Sequence, residues 1–246
     1  MAVLRVGTSG WNYGPWKDRF YAGVKRQDWL RHYASRFDTV EVNASFYRAV
    51  RPSTYAVWRD ATPPTFRFAI KGHRLVTHVY RLADAAEAID RQRDSASELG
   101  DRLAAVLWQL PASVPKDIER LRAFLAVLER WPTARQVIEF RHSTWFDAET
   151  ADLLAEARVA SAISDADRWP RWDAVTTDLV YVRLHGRPHC YLSPYPRAEI
   201  ESWAARARAW QAEGRDVYVY FDNTMEGAAA EDARTFQALA LPPGPG

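Results

Sequence analysis

A single α/β barrel of the (β/α)8 type is the fold this chain predicts. Three observations carry the prediction. Eight short apolar runs recur along the sequence, helix-compatible stretches separate most of them, and no linker or charge run divides the chain into two domains. Strict alternation of strand and helix favours a parallel sheet, and eight repeats of the unit favour closure over an open doubly wound sheet. No Gly-x-Gly-x-x-Gly follows the first run, which weighs against an open dinucleotide-binding sheet. A length of 246 residues suits one barrel. Residues 1–240 are assigned to it, and the Pro/Gly-rich residues 241–246 to a flexible tail.

The expected strands cover residues 4–7, 39–43, 67–71, 104–110, 136–140, 159–164, 179–185 and 216–221. The expected helices lie near 27–37, 53–60, 84–99, 116–130, 147–157, 197–213 and 226–239. Asp28 ahead of Trp29, Pro52 ahead of Ser53 and Pro115 ahead of Lys116 are helix-start signals. Residues 165–178 hold Trp169-Pro170 and Trp172 and predict an irregular loop in place of a full helix after the sixth strand.

Side chains alternate along a strand, and in a barrel the face toward the helices is apolar. In the first strand Leu4, Val6 and Thr8 oppose Arg5, Gly7 and Ser9. Val40 and Val42 oppose Thr39, Glu41 and Asn43; Phe68 and Ile70 oppose Arg67, Ala69 and Lys71. Ile138 and Phe140 oppose Val137, Glu139 and Arg141; Val180, Val182 and Leu184 oppose Tyr181, Arg183 and His185. Parity therefore turns Glu41, Asn43, Lys71, Glu139, Arg141, Arg183 and His185 inward near the strand C-termini, with Gln109 and Asp222 as weaker additions. Barrel enzymes place their chemistry at that end. Arg5 and Arg67, nearer the strand N-termini, are assigned to structural ion pairs.

The composition excludes several classes. The net charge is +2, with Lys+Arg 33 against Asp+Glu 31, so no global basic field attracts nucleic acid. A single cysteine, Cys190, rules out an intrachain disulfide, fits a reducing compartment and is assigned as a non-catalytic loop thiol. No run reaches the roughly 18 apolar residues a membrane span requires, and the N-terminus lacks a signal-peptide pattern. The chain is assigned to the cytoplasm, without a membrane partner.

The inward residue types suggest chemistry. Glu139, His185 and Glu41 are the candidate proton-transfer groups. Arg141 and Arg183 can each grip a carboxylate or phosphate through two parallel hydrogen bonds, and Lys71 adds a point charge. Together they suggest a small anionic partner. Asn43, Gln109, His78, His142, Asp222, Asn223, Trp11 and Tyr47 are further ligand-binding candidates. Glu41, Glu139, Asp165 and His185 are acceptable metal ligands, but no His-x-His or His-Glu-x-x-His spacing appears and nearby cations oppose a metal. No cofactor is expected, and a divalent metal is disfavoured. Trp11, Tyr13, Trp16, Phe46, Tyr47, Trp145, Tyr191 and Tyr195 crowd the expected mouth loops, to stack a sugar or nucleobase or to pack the loops. Gly7-Thr8-Ser9-Gly10 is a small-residue turn whose amides can face a phosphate.

Several segments together resemble the YecE-like family, the domain of unknown function numbered seventy-two in its series. They are Gly7-Thr8-Ser9-Gly10-Trp11-Asn12-Tyr13, Trp16 with Phe20-Tyr21, and the stretch from Thr39 to Arg48. Phe68-Ala69-Ile70-Lys71 with Thr77-His78, Gln109-Leu110-Pro111 and Glu139-Phe140-Arg141-His142 with Trp145 follow in order. Tyr181-Val182-Arg183-Leu184-His185-Gly186 and Tyr218-Val219-Tyr220-Phe221-Asp222-Asn223 complete the set, which spans nearly the whole chain. The resemblance implies a TIM-type barrel, similar in architecture to sugar isomerases and apurinic endonucleases. It supplies no reaction. Two departures stand out: Ala22-Gly23-Val24 where the family has a proline, and Asp222 where it often has asparagine.

Three functions follow as expectations. The first is an enzyme, of hydrolase, lyase or isomerase type, acting on a small anionic or phosphorylated, sugar-like ligand at the mouth. The second is a nucleic-acid-binding or DNA-processing barrel, and the third a non-catalytic ligand-binding protein. The oligomeric state is left open.

Overall fold

The computed structural model describes residues 1–241, so residues 242–246 of the expected tail lie outside the described residues. Eight parallel strands form one sheet in the order β1-β8-β7-β6-β5-β4-β3-β2. They are β1 (Leu4–Thr8), β2 (Thr39–Val42), β3 (Arg67–Lys71), β4 (Leu103–Gln109), β5 (Arg135–Glu139), β6 (Ala160–Asp165), β7 (Leu179–Leu184) and β8 (Asp216–Phe221). The α-helices are α1 (Trp29–Ala34), α2 (Ala44–Tyr47), α3 (Pro52–Asp60), α4 (Ala86–Ala96), α5 (Ile118–Leu128), α6 (Ala148–Glu156), α7 (Arg197–Ala212) and α8 (Ala228–Ala240). The chain is thus a TIM-type barrel, and residues 166–178 between β6 and β7 hold no helix.

The sheet closes at the β1–β2 seam through one bridge, Ser9 with Glu41, and the Gly10 amide donates to the Glu41 carbonyl at 2.7 Å. Below that bridge the Tyr33 hydroxyl sits between the strands. It accepts from the Thr8 amide at 2.8 Å and donates to the Thr39 carbonyl at 3.1 Å, replacing a direct ladder bond. Gly7 permits this approach: a Cβ there would lie 2.1 Å from the Thr39 oxygen.

Two apolar cores follow from strand parity. The outer one joins helices to the strand faces carrying Val6, Val40, Phe68, Ile70, Ile138, Val182 and Val219. The inner one fills the barrel with Ala69, Ala105, Leu107, Val137, Ala162, Tyr181, Tyr218 and Tyr220. The inward assignments of Ala69, Val137 and Tyr181 agree with that division, whereas Arg67 donates to the Pro64 and Phe66 carbonyls and makes no ion pair among the described residues.

The helices depart from expectation in four places. The segment expected as a helix over 84–99 splits into α4 and a 3-10 turn, Ser97–Arg102, within which Gly100 has φ 54°. A short helix, α2, starts directly after Asn43, and a π-turn, Leu75–Val79, follows β3. Asp28 makes no capping bond at α1, whereas Asp117 accepts from the Arg120 amide and Asp147 from the Thr150 amide to cap α5 and α6.

Candidate functional site

The strand tips converge on Arg183, whose side chain is only 1% exposed. Its Nε donates to Glu41 Oε2 at 2.9 Å and its Nη2 to Glu41 Oε1 at 2.8 Å. Nη2 also donates to Asp222 Oδ2 at 2.9 Å, and Nη1 to Glu139 Oε2 at 2.7 Å and to His185 Nε2 at 3.0 Å. A guanidinium has five N–H groups, and here each has a protein acceptor. Arg183 therefore has no donor left for a ligand. It organises the carboxylates rather than gripping an anion, a change from the role expected of it.

The two glutamates are held as anions. Burial alone would raise Glu41, but the charge and hydrogen bonds of Arg183, with those of Tyr181 and Ser9, outweigh it and hold the carboxyl below its usual range. Ser9 Oγ and the Tyr181 hydroxyl each donate to it at 2.7 Å. Burial would also raise Glu139, but Arg141 and Arg183, then His185 and Lys71, hold it well below the usual range. Arg141 Nε donates to Glu139 Oε1 at 2.5 Å. Such carboxylates are poor proton shuttles near neutrality.

His185 is fully buried, and desolvation together with the charge of Arg183 pushes its pKa well below 6.5. Arg183 and Arg141 both direct donors at Nε2, at 3.0 and 3.4 Å, so the ring proton belongs on Nδ1, which faces the Asp165 carbonyl at 3.3 Å. This tautomer is inferred from the partners. Nε2 also lies 3.3 Å from Asp222 Oδ2.

Two groups titrate nearer neutrality. Burial raises the Asp222 carboxyl to about 6, against the pull of Arg183 and with a push from Glu41. Burial, with the charges of Arg183 and Arg141 and against those of Glu139 and Glu41, lowers Lys71 to about 8. Lys71 Nζ rests 4.2 Å from the Phe46 ring centroid. Among the described residues no carboxylate lies within ion-pair distance of it. Beside it, His78 is held down to about 4 by burial and by Lys71 and Arg141. Its Nδ1 pairs with Thr77 Oγ1 at 2.9 Å, and its ring packs on Phe46.

Arg141 forms the opposite rim. Its Cζ lies 3.5 Å from the Trp169 ring centroid, and its Nη1 and Nη2 make only long contacts, 3.4 Å each, to the Tyr191 hydroxyl and His185. Asn43 carries a buried Oδ1 without a partner.

Other expected site residues are engaged elsewhere. His142 Nδ1 accepts from the Thr144 amide and caps a short turn, Ser143–Trp145. Asn223 Nδ2 donates to Ser193 O and Asp232, tying β8 to α8 and the loop after β7. Gln109 Nε2 folds back onto the Leu110 carbonyl at 2.7 Å. Tyr47 is 70% exposed, and Trp11 packs edge-on against Trp58. Trp16 and Trp145 are buried, their indole N–H groups donating to Thr224 O and Val114 O, so they pack the loops. The amides of Thr8, Ser9 and Gly10 donate to Tyr33, Phe221 and Glu41, which leaves that turn no phosphate cradle. Burial pushes the Cys190 thiol up to about 11, so it stays neutral.

Tyr181, Ser9 and Trp169 were not expected in the site. Tyr181 and Ser9 lie on the inward parity and lack only a charge to draw notice. Trp169 sits in the irregular loop, where periodicity gives no signal. Among the described residues no cluster of three or more His, Cys, Asp or Glu is arranged to hold a metal ion, and no helix is long and apolar enough to cross a membrane.

The family model described as "Protein of unknown function DUF72" matches residues 5–243. The chain belongs to this family. YunF of Bacillus subtilis is 24% identical over 269 residues, covering 96% of this chain and 94% of that protein. YecE of Escherichia coli K12 is 26% identical over 145 residues, 58% of this chain and 50% of that one. A crystal structure of a DUF72 family protein from Thermotoga maritima is 27% identical and superposes with a TM-score of 0.87, covering 96% of this chain and 98% of its own. The mouth described above is thus a feature of a DUF72 barrel.

Proposed function

We propose that this DUF72 protein is an acid–base enzyme for a small anionic substrate bound at the strand C-terminal mouth. One observation carries the reading: around a fully paired Arg183 stand two groups that titrate near neutrality, Asp222 at about 6 and Lys71 at about 8. Structural ion pairs alone do not call for a nearly buried ammonium that, among the described residues, has no carboxylate partner. Arg141 retains donors for a phosphate or carboxylate, and Lys71 adds positive charge beside it. Asp222 serves as the base, with His185 Nε2 next to it as a neutral acceptor. Glu41 and Glu139 hold the arginines in place, a revision of the proton-transfer roles first assigned to them. Isomerisation or elimination through proton abstraction suits this set.

The test begins with the anion. Titration of the whole protein with inorganic phosphate at low salt and pH 7, followed by 31P NMR, is expected to give saturable binding. Arg141→Met is expected to weaken it about tenfold or more, in line with loss of a charge-assisted contact. Phosphate binding unchanged by Arg141→Met would remove the basis for this reading.

A further inference from the structure

We infer that Lys71 is a covalent amine site, which takes the aldehyde or ketone carbonyl of a small anionic substrate as a Schiff base. The inference rests on the anion-binding reading above and names its substrate class.

The argument is geometric. Lys71 ends β3 on the inward face, at the same mouth as Arg141, and is 9% exposed. Its carbonyl is fixed by Ser45 Oγ at 2.7 Å and Gln92 Nε2 at 3.1 Å, so the base of the side chain is held. Its amine lies over Phe46, no carboxylate among the described residues is in contact with it, and the charges of two arginines, Arg183 and Arg141, act on it. Cations and burial both favour the neutral amine, the nucleophilic form. The other lysines differ: Lys17 and Lys25 are exposed, and Lys116 pairs with Asp147 and Glu149 at 2.5 and 2.6 Å.

In the step, the Lys71 Nζ lone pair forms a bond to the carbonyl carbon while the C=O π pair moves to oxygen. Asp222 in its acid form supplies the proton that lets this oxygen leave as water after one N–H proton has moved to it. The product is an iminium and one water, and no oxidant or reductant is consumed. Arg141 holds the substrate's anionic end, and the iminium then acidifies the adjacent C–H for Asp222 in its carboxylate form.

The test uses the full chain with glycolaldehyde phosphate and sodium cyanoborohydride at pH 7.5, followed by peptide mapping. Hydride reduction of the iminium leaves a stable secondary amine. Lys71 is expected to be modified about tenfold or more faster than Lys17 or Lys25, because far more of it is uncharged at that pH. Mapping separates this adduct from one on the Met1 amine. Modification of Lys71 no faster than of the exposed lysines overturns the inference. If phosphate still binds in the same samples, the anion-binding reading survives that failure. Equal trapping of uncharged glycolaldehyde overturns the anionic part and leaves the amine site standing.

Discussion

Arginine–carboxylate pairs occupy both ends of the barrel. At the strand N-termini Arg5 meets Asp38 at 2.7 Å, and Arg135 meets Asp178 at 2.5 Å and Asp216 at 2.8 Å. These side chains are more open to water than those above: Asp38 is 42%, Arg135 33% and Asp178 82% exposed, although Arg5 is only 15% exposed and burial raises the Asp38 carboxyl. At the C-terminal end Arg183 is 1% exposed and Glu41 and Glu139 are fully buried. The same residue types therefore do different things. The lower pairs staple strand ends, as when Asp216 also accepts from the Val3 amide at 2.9 Å. The upper set is a closed hub with two poorly accommodated members, Lys71 and Asp222. Surplus ionisable groups beside a satisfied hub, rather than ion pairs as such, mark the candidate site.

Removing Arg183 is the harshest test of that difference. Arg183→Met leaves Glu41 and Asp222 buried without their counter-charge and Glu139 with Arg141 alone, and urea unfolding at pH 7 is expected to show a loss of about 3–5 kcal/mol. A loss under about 1 kcal/mol would make the two ends alike. Lys71→Met is expected to act in the opposite direction. The folded state holds Lys71 at about 8 against the ordinary 10.5, so below pH 8 folding carries the full penalty of burying the ammonium. The variant is expected to be more stable at pH 7 by about 3 kcal/mol. Between about pH 8 and 10.5 the unfolded chain keeps the proton that the folded one has lost, so wild-type stability rises with pH and the gap closes.

Asp222→Asn sharpens the comparison with a smaller shift. Asp222 is raised from 3.8 to about 6, so the folded state keeps its proton after the unfolded chain has released it. Wild-type stability is therefore expected to fall relative to the variant as pH rises from about 4 to about 6, and to level off above. Moving the carboxyl from 3.8 to about 6 sets the full change at about 3 kcal/mol, most of it between pH 4 and 7, and any weaker bond to Arg183 in the variant adds only a pH-independent offset. Paired denaturation curves at pH 4, 5, 6 and 7 measure it, and a pH-independent difference would contradict the assignment. Arg5→Met, at the more open end, is expected to cost less than Arg183→Met, about 1–2 kcal/mol in the same assay.

Much of the fold was legible in the sequence. Strand apolarity and period two placed all eight strands within about a residue of their ends, since buried parallel strands must present an apolar face to the helices. The period also turned Glu41, Lys71, Glu139, Arg141, Arg183 and His185 to one mouth. Local turns were less legible. The π-turn after β3 and the break near Gly100 depend on backbone angles and tertiary contacts, as does the Tyr33 hydroxyl in the β1–β2 seam. The roles within the mouth were the least legible part. Parity gives direction but no distances, and only distances show that Arg183 spends every donor on three carboxylates and His185. That pairing turns Glu41 and Glu139 into fixed anions and transfers the titrating roles to Asp222 and Lys71.

The central claim, a misfit amine beside a satisfied hub, is tested most directly by an NMR titration of the Lys71 side chain in the whole folded protein. Selective 13C/15N labelling of lysine resolves four side chains, and Lys71→Arg assigns the signal by its disappearance. The account predicts a midpoint at about 8, well separated from the exposed Lys17 and Lys25. A Lys71 midpoint at about 10 or above, in the range of an ordinary lysine, would contradict it.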